Sequence, residues 1–186
     1  MSDAERLISD NRNVVERLRQ QAELLHQKRP QLSADSKLLY LGELYPIVCS
    51  VRLKGFDGSR FLLPAGTEEE QIQLLGKIYH VLARQFIVPR VQKLAQSFGI
   101  DIRNIRINQA VSRWGSCSAK GDLNFSWHLI RCPVELVDSV ICHELAHRFE
   151  LNHSSRFYLQ LAKLDPLYRE HRAALRRFNR LNPWFR

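Results

Sequence analysis

The chain has 186 residues and a formal net charge of +9, and 45% of its residues are hydrophobic and 25% charged. These values are those of a soluble globular protein that is large enough to bury a core. No apolar run approaches the ~20 residues of a membrane-spanning helix.

The first residues of the chain show no signal-peptide pattern. We therefore expect a cytoplasmic protein with no membrane partner. The excess of positive charge favours anionic partners such as nucleic acid, nucleotides or acidic proteins.

The sequence divides into a leading helix, a central unit and a basic tail. Residues 3–28 are predicted to form one amphipathic helix that ends before Pro30, so residues 1–30 are an accessory segment. Its apolar stripe consists of Leu7, Val14, Leu18 and Leu25. This helix packs on its own domain or pairs with a partner, which leaves the oligomeric state open. Residues 38–165 form the central unit, and residues 166–186 form a basic C-terminal helix and tail of the same globular unit.

The central unit begins with short β-type runs. Between residues 38 and 63 these runs alternate with glycine-containing turns, which predicts a small antiparallel meander. A long helix should begin at Thr67, because Glu70 follows three residues later as in a capping box. We expect Pro89 to kink or divide this helix and Gly99 to end it.

The chain becomes β-type again over residues 100–129. One strand is predicted from the spacing of Ile102, Ile105 and Ile107. Residues 123–129 follow a polar turn at 119–122 and alternate apolar with polar side chains, as a half-exposed strand does. Pro133 fits the first turn of the helix that comes next.

Two further helices are predicted after that one. Either Ser154 or Ser155 can cap a short helix that ends near Asp165. Residues 167–181 then form a final helix that is rich in arginine. No repeats or low-complexity tracts interrupt this order.

The residues that carry chemistry lie at 143–147, which read H-E-L-A-H and match the H-E-x-x-H pattern of zinc hydrolases. His143 and His147 are four residues apart, so they lie on one helix face and can reach the same metal ion. Glu144 stands beside that ion and can polarise a bound water. A catalytic zinc site has three protein ligands and keeps one position for water, so a third ligand is required.

Two residues compete for the place of the third ligand. His153 follows His147 by six residues, the offset found in longer zinc-binding patterns, although Glu150 occupies the position where those patterns have glycine. Asn152 tolerates the left-handed conformation and is the predicted helix end, after which His153 can turn back. Glu150 lies on the helix face of His143 but nearly a turn away from the metal position, so we favour His153.

A wider set of residues resembles one known family. The set comprises the run Arg113-Trp114-Gly115-Ser116-Cys117-Ser118, Gly121, Asn124, Trp127, Pro133, the H-E-L-A-H core, and Asn152-His153-Ser154 with Phe157. Together they resemble the YgjP-like metallopeptidase domain family, which is related to SprT-type compact zincins. The resemblance covers roughly residues 38–165, and one departure is Phe157-Tyr158 where the family usually has Phe-Trp.

The resemblance implies a small α+β zincin-like domain. An antiparallel or mixed β-sheet would pack on the active-site H-E-x-x-H helix and a supporting helix, and the edge strand of the sheet would border the cleft. By the same resemblance His143, His147 and His153 bind Zn²⁺.

The leading functional hypothesis is zinc-dependent hydrolysis of peptide bonds in a peptide or protein bound in the cleft. Glu144 would act as general base on the zinc-bound water. The strand at residues 123–129 could hold an extended peptide if it is the sheet edge. An oxyanion stabiliser is also needed, and His128, Tyr158 and Arg113 are the candidates.

Two alternatives remain open. The same metal could hydrolyse a phosphoanhydride, as in a nucleoside triphosphate, with phosphate charge neutralised by Arg103, Arg106, Arg113 or Lys120. Alternatively, the protein associates with nucleic acid and its metal is structural. Arg169, Arg172 and Arg176 share one face of the final helix, and Trp184 and Phe185 follow.

Overall fold

Seven strands and four α-helices follow one another in the part of the chain that the computed structural model describes, residues 36–181. In chain order they are β1 Lys37–Tyr40, β2 Glu43–Cys49, β3 Gly55–Phe56, β4 Phe61–Leu63, α1 Glu68–Ser97, β5 Asn104–Asn108, β6 Gly115–Cys117, β7 Asp122–Ser126, a 3-10 helix Trp127–Arg131, α2 Val134–Ala146, α3 Ser155–Leu164 and α4 Tyr168–Leu181. The helix predicted for residues 3–28 and the aromatic residues of the C-terminal tail lie outside the described residues.

The strands form two small sheets. The first has the order β1-β2-β4-β3, and the second has the order β5-β7-β6. β2 and β4 run parallel, so the antiparallel meander predicted for this region is wrong at that pairing. The segment between β2 and β4 contains β3, which lies at the outer edge of the sheet and pairs antiparallel with β4. Mixed sheets and helices together make an α+β fold, as predicted.

β7 is the central strand of the second sheet, between parallel β5 and antiparallel β6. It ends at Ser126, three residues earlier than the predicted strand. The Ser126 hydroxyl accepts a hydrogen bond from the backbone N–H of His128 at 3.2 Å, which begins the 3-10 helix. A central strand has no unpaired edge, so a peptide cannot pair with β7 as the sequence suggested. The two edge strands of this sheet are β5 and β6.

α1 has the ends that the sequence predicts. The Thr67 hydroxyl accepts from Glu70 N–H, and the Glu70 carboxylate accepts from Thr67 N–H, which is a complete capping box. At the other end Gly99 has a φ of 63° and Ile100 N–H donates to Ala95, as in a Schellman motif. Pro89 does not divide the helix, which continues to Ser97. Pro89 has no backbone N–H to donate within the helix. Burial of one helix face offsets this loss, and the buried residues are Leu75, Ile78, Tyr79, Ala83, Ile87, Val91 and Ala95.

α2 lies against α1 with its apolar residues buried. Val137, Ile141 and Leu145 are fully inaccessible to solvent. The Arg90 guanidinium of α1 donates to both carboxylate oxygens of Asp138 on α2. α2 is therefore fixed to its support by packing and by a bidentate ion pair. Within the described residues, no helix has the length and apolarity that spanning a membrane would require.

Candidate metal centre

The helix that carries the first two motif histidines ends earlier than predicted. α2 ends at Ala146, with His147 as its C-cap residue. Arg148 N–H then donates to Leu145 at 3.0 Å, a three-residue bond that tightens the chain into turns. Asn152, the predicted helix end, lies beyond these turns and is not among the described residues with a positive φ. The turn towards the metal therefore begins directly after His147 and needs no left-handed residue.

Arg148 anchors this turn to the β-sheet region. Its Nε donates to the carbonyl of Asp101 at 3.0 Å, and its Nη1 donates to the carbonyl of Ala119 at 3.2 Å. The guanidinium also lies against the backbone of Gly121, where an added Cβ would be only 3.0 Å from Arg148 Cζ. The residue after His147 is thus held to two loops of the second sheet, which fixes where the chain leaves the helix.

Three histidine side chains converge beside this turn. One ring nitrogen from each of His143, His147 and His153 lies within 4.8 Å of the others. The Nε2 atoms of His143 and His153 are 3.0 Å apart. Nitrogens bound to one zinc ion at about 2.0–2.1 Å lie about 3.3 Å apart in tetrahedral geometry. The three donors are close enough together to hold one metal ion, and the structure thus brings together the histidines that the sequence selected.

The surroundings of the triad suit a metal as well. His147 Nδ1 is 3.1 Å from the backbone carbonyl of Glu150, which can accept its proton and leave Nε2 as the free donor atom. Phe157 is fully buried beneath the three rings, with centroid distances of 5.0, 4.5 and 4.7 Å to His143, His147 and His153. Glu150, the competing ligand, therefore contributes its main chain to the site by orienting a histidine.

Their surroundings keep the imidazoles of His143 and His153 in the form that binds metals. Desolvation, together with the charges of His147, His153 and Arg172, lowers the pKa of His143 to about 4. Burial and the charges of His147 and Arg172 also lower the pKa of His153. Both side chains are consequently neutral at pH 7, and a neutral imidazole offers a lone pair to a cation without first losing a proton.

Glu144 points from α2 towards the edge strand β6 and is only 6% exposed. A Cβ atom added to Gly115 of β6 would lie 2.7 Å from both Cγ and Oε1 of Glu144. Burial raises the pKa of Glu144 to about 8, and the charge of Arg113 acts in the opposite direction. A divalent cation beside it would also favour the charged carboxylate. The glycine in the Arg113-to-Ser118 run thus makes room for the predicted base.

The contact between Gly115 and Glu144 can be tested with two glycine-to-alanine variants, which should change the free energy of unfolding in opposite directions. Gly115→Ala is expected to lower the free energy of unfolding by about 1–3 kcal/mol, because the methyl group must displace the buried Glu144 side chain. Gly76→Ala, in the interior of α1 with nothing within 4 Å of the added Cβ, is expected to raise it by about 0.5–1 kcal/mol. Denaturant unfolding at fixed metal concentration measures both. Equal effects at the two positions would contradict the close packing of Gly115 on Glu144.

His128 is placed differently from the prediction. It lies in the 3-10 helix instead of a strand, is 7% exposed, and stacks on Trp127 with ring centroids 3.6 Å apart. Burial and the neighbouring Arg131 lower its pKa to about 4. Trp127 in turn stacks on Tyr79 of α1 at 5.4 Å. These contacts are those of a packed core side chain, and they give no support to His128 as an oxyanion stabiliser, which stays a prediction.

Tyr158, the other aromatic candidate, does lie at the site. Its ring centroid is 6.4 Å from that of His153, and its hydroxyl accepts a hydrogen bond from Arg172 at 3.5 Å. Arg172 is close enough for its charge to lower the pKa of His143 and His153. The spacing of Arg172 from the neighbouring arginines of the helix was visible in the sequence, but the position of Arg172 beside the triad was not.

The basic residues proposed for phosphate binding are distributed over two places. Arg113 lies near enough to lower the pKa of Glu144. Arg103 and Arg106 instead act on Asp122 in the second sheet, where their charges lower the pKa of that carboxyl group. Lys120 is exposed in the turn before β7. Of these four residues, the structure relates Arg113 to the candidate centre.

Comparison with known proteins gives one match. The model of the YgjP-like, metallopeptidase domain family matches residues 1–178. Searches of curated proteins and of solved structures give no significant match. The matched region extends over nearly the whole chain and includes every residue of the histidine triad.

Proposed function

The chain belongs to the YgjP-like metallopeptidase domain family, and we propose that it is a zinc-dependent peptidase with Glu144 as its general base. Family membership makes it a metal-dependent hydrolase or peptidase. The observation that carries the finer proposal is the convergence of three histidine nitrogens within 4.8 Å, beside the helix that holds His143 and the buried Glu144. His143, His147 and His153 are the proposed ligands.

The reaction requires a nucleophile, a proton acceptor and stabilisation of the developing oxyanion. A zinc ion held by the triad would lower the pKa of a coordinated water and polarise the scissile carbonyl. Glu144 takes a proton from the attacking water as the oxygen adds to the carbonyl carbon. The same carboxyl group then delivers that proton to the amine nitrogen as the C–N bond breaks. Tyr158, beside His153, is the best placed candidate to donate a hydrogen bond to the oxyanion.

We propose that an extended substrate pairs with β6. This strand is one of the two edges of the second sheet, and it is the one that carries the glycine against which Glu144 packs. A peptide added to this edge would present its main chain next to the base, and such binding recognises backbone more than side chains. We thus assign to β6 the peptide pairing that the sequence suggested for residues 123–129, because the strand in that region, β7, is central.

Metal content is the direct test of this proposal. Purified protein is expected to contain about one zinc ion per chain by mass spectrometry, because one set of three donors fits one ion. Chelation is expected to remove the metal together with cleavage of an unbiased peptide mixture, and added zinc should restore both. Protein that neither retains nor regains stoichiometric metal would exclude the hydrolytic mechanism.

A second candidate function is hydrolysis of a phosphoanhydride on the same metal. The observation in its favour is Arg172, whose positive charge lies beside two of the proposed ligands and could neutralise a phosphate oxygen. A parallel assay with nucleoside triphosphates separates the two reactions. Release of phosphate or pyrophosphate without any peptide cleavage would replace the peptidase proposal with this one.

A further inference from the structure

A cavity of about 410 Å³ adjoins the histidine triad. It lies between α3 and α4 and is lined by Tyr158, Tyr168, Arg169, Arg172, Ala173 and Arg176. The lining contains three guanidinium groups and no carboxylate. We call this cavity the arginine pocket. Its volume suits one side chain or one chain terminus, and it is small for an extended nucleic-acid groove.

The two tyrosines hold the arginines in place. Their rings stack with centroids 5.8 Å apart. Arg169 Nε donates to the Tyr168 hydroxyl at 3.0 Å, and Arg172 donates to the Tyr158 hydroxyl at 3.5 Å. Oriented guanidinium groups lose less conformational freedom when they bind a ligand than free side chains do. The pocket is therefore partly organised before any ligand arrives.

The pocket carries an excess of positive charge, with the charge of Glu170 acting on Arg169 at one end. Arg169, Arg172 and Arg176 follow one another at three- and four-residue spacing on α4, and like charges at this spacing repel each other. Within residues 36–181, none of the three forms an ion pair with a carboxylate. A bound anion would supply the missing partner, and an arginine fork matches a carboxylate in a bidentate arrangement.

The pocket is also close to the proposed metal ligands. The Tyr158 ring lies 6.4 Å from the His153 ring and 5.3 Å from the Phe157 ring beneath the triad. Arg172 acts electrostatically on His143 and His153. A group bound in the pocket would therefore lie within about two or three residues of a carbonyl at the metal position, since one extended residue spans ~3.3–3.6 Å. The positive charge of Arg172 disfavours binding of a bare cation by the neighbouring histidines. An anionic substrate in the pocket would reduce this repulsion between Arg172 and the cation.

We propose that the arginine pocket binds a carboxylate of the peptide substrate and so sets the position of the scissile bond. The carboxylate comes either from the C-terminus of the substrate or from an Asp or Glu side chain. This inference rests on the proposed peptidase function. It assigns the arginines of α4 to substrate selection and not to a nucleic-acid surface.

Matched peptides test the inference. An unbiased peptide mixture first locates a cleavage site, and peptides of that sequence are then made with a free or an amidated C-terminus and with Glu or Gln beside the scissile bond. Carboxylate-bearing peptides are expected to have about ten-fold or higher kcat/KM, since charge-assisted hydrogen bonds are the strong ones. The C-terminal pair and the Glu/Gln pair distinguish the two sources of the carboxylate.

Two arginine variants provide the comparison. Arg172→Gln is expected to abolish the preference for the carboxylate, whereas Arg177→Gln, which removes an exposed charge of α4 outside the pocket, should retain it. Equilibrium binding of the same peptides to Glu144→Gln protein provides a readout without turnover, and should show the same preference.

The outcomes separate the inference from the proposed function. Cleavage without a carboxylate preference, or a preference that survives Arg172→Gln, would overturn the inference and leave the peptidase in place. If no peptide is cleaved, the proposed function fails, and equal binding of the acidic and neutral peptides would then overturn the pocket as well. Binding of a nucleoside triphosphate or an oligonucleotide that is lost in Arg172→Gln, without carboxylate-dependent peptide binding, would overturn the assignment to a carboxylate.

Discussion

Replacement of Glu144 by Gln is expected to lower kcat for peptide cleavage by about 10²–10⁴-fold, the usual contribution of a general base. The amide is nearly the same size as the carboxylate, so it fits the space beside Gly115. It cannot accept a proton from water at neutral pH. The metal content should not change, because Glu144 is not one of the three convergent donors. Steady-state kinetics and metal analysis of the same sample measure both quantities.

Glu135→Gln is the matched control for this change. Glu135 lies in the first turn of the same helix, α2, and is exposed to solvent. The same chemical change at that position should leave kcat and metal content at their wild-type values. A Glu144→Gln protein that kept the wild-type kcat would exclude Glu144 as the base and would direct attention to another proton acceptor.

Replacement of His153 by Ala is expected to weaken zinc binding by about 100-fold or more. Structural zinc sites with four ligands bind with about 10–16 kcal/mol, so each ligand contributes about 2.5–4 kcal/mol. His153 provides one of three ring nitrogens, and its Nε2 lies 3.0 Å from that of His143. Competition with a chromophoric chelator at pH 7 measures the affinity, and peptide cleavage at limiting zinc should fall in parallel.

Glu150→Gln is the control that distinguishes the two candidate third ligands. Glu150 contacts His147 through its backbone carbonyl, at 3.1 Å from Nδ1, and this contact does not depend on the side chain. The variant should therefore bind zinc like the wild type. A loss of affinity in Glu150→Gln as large as that in His153→Ala would show that the carboxylate is a ligand, and the three-histidine site would then be wrong.

The ends of α1 and the positions of the motif histidines were accessible from the sequence because they depend on neighbours a few residues away. The capping box pairs Thr67 with Glu70, and Gly99 takes the positive φ that ends the helix. The i, i+4 spacing of His143 and His147 follows from helix geometry alone. The prediction of His153 as third ligand agrees with where the structure places its ring.

The errors of prediction concern features that depend on distant parts of the chain. β7 alternates buried and partly exposed residues as predicted, but the suggestion that this strand is a sheet edge is wrong, because β5 and β6 pair with its two sides. α2 ends at Ala146, not at Asn152, and Arg148 is anchored by carbonyls of residues Asp101 and Ala119. Periodicity within one segment contains no information about which strand or loop lies beside it.

The sequence by itself determined the α+β class and the family, and it selected three histidines and a glutamate as the candidate site, because each is encoded in short-range spacing or in the residues of one linked motif. Only the tertiary structure decided that β6 is an edge strand and β7 the central one, that Gly115 makes room for Glu144, and that Arg172 lies beside the triad. These relations join residues that are tens of positions apart. They arise from how helices and sheets pack around a common core, and such packing is settled by the whole chain at once.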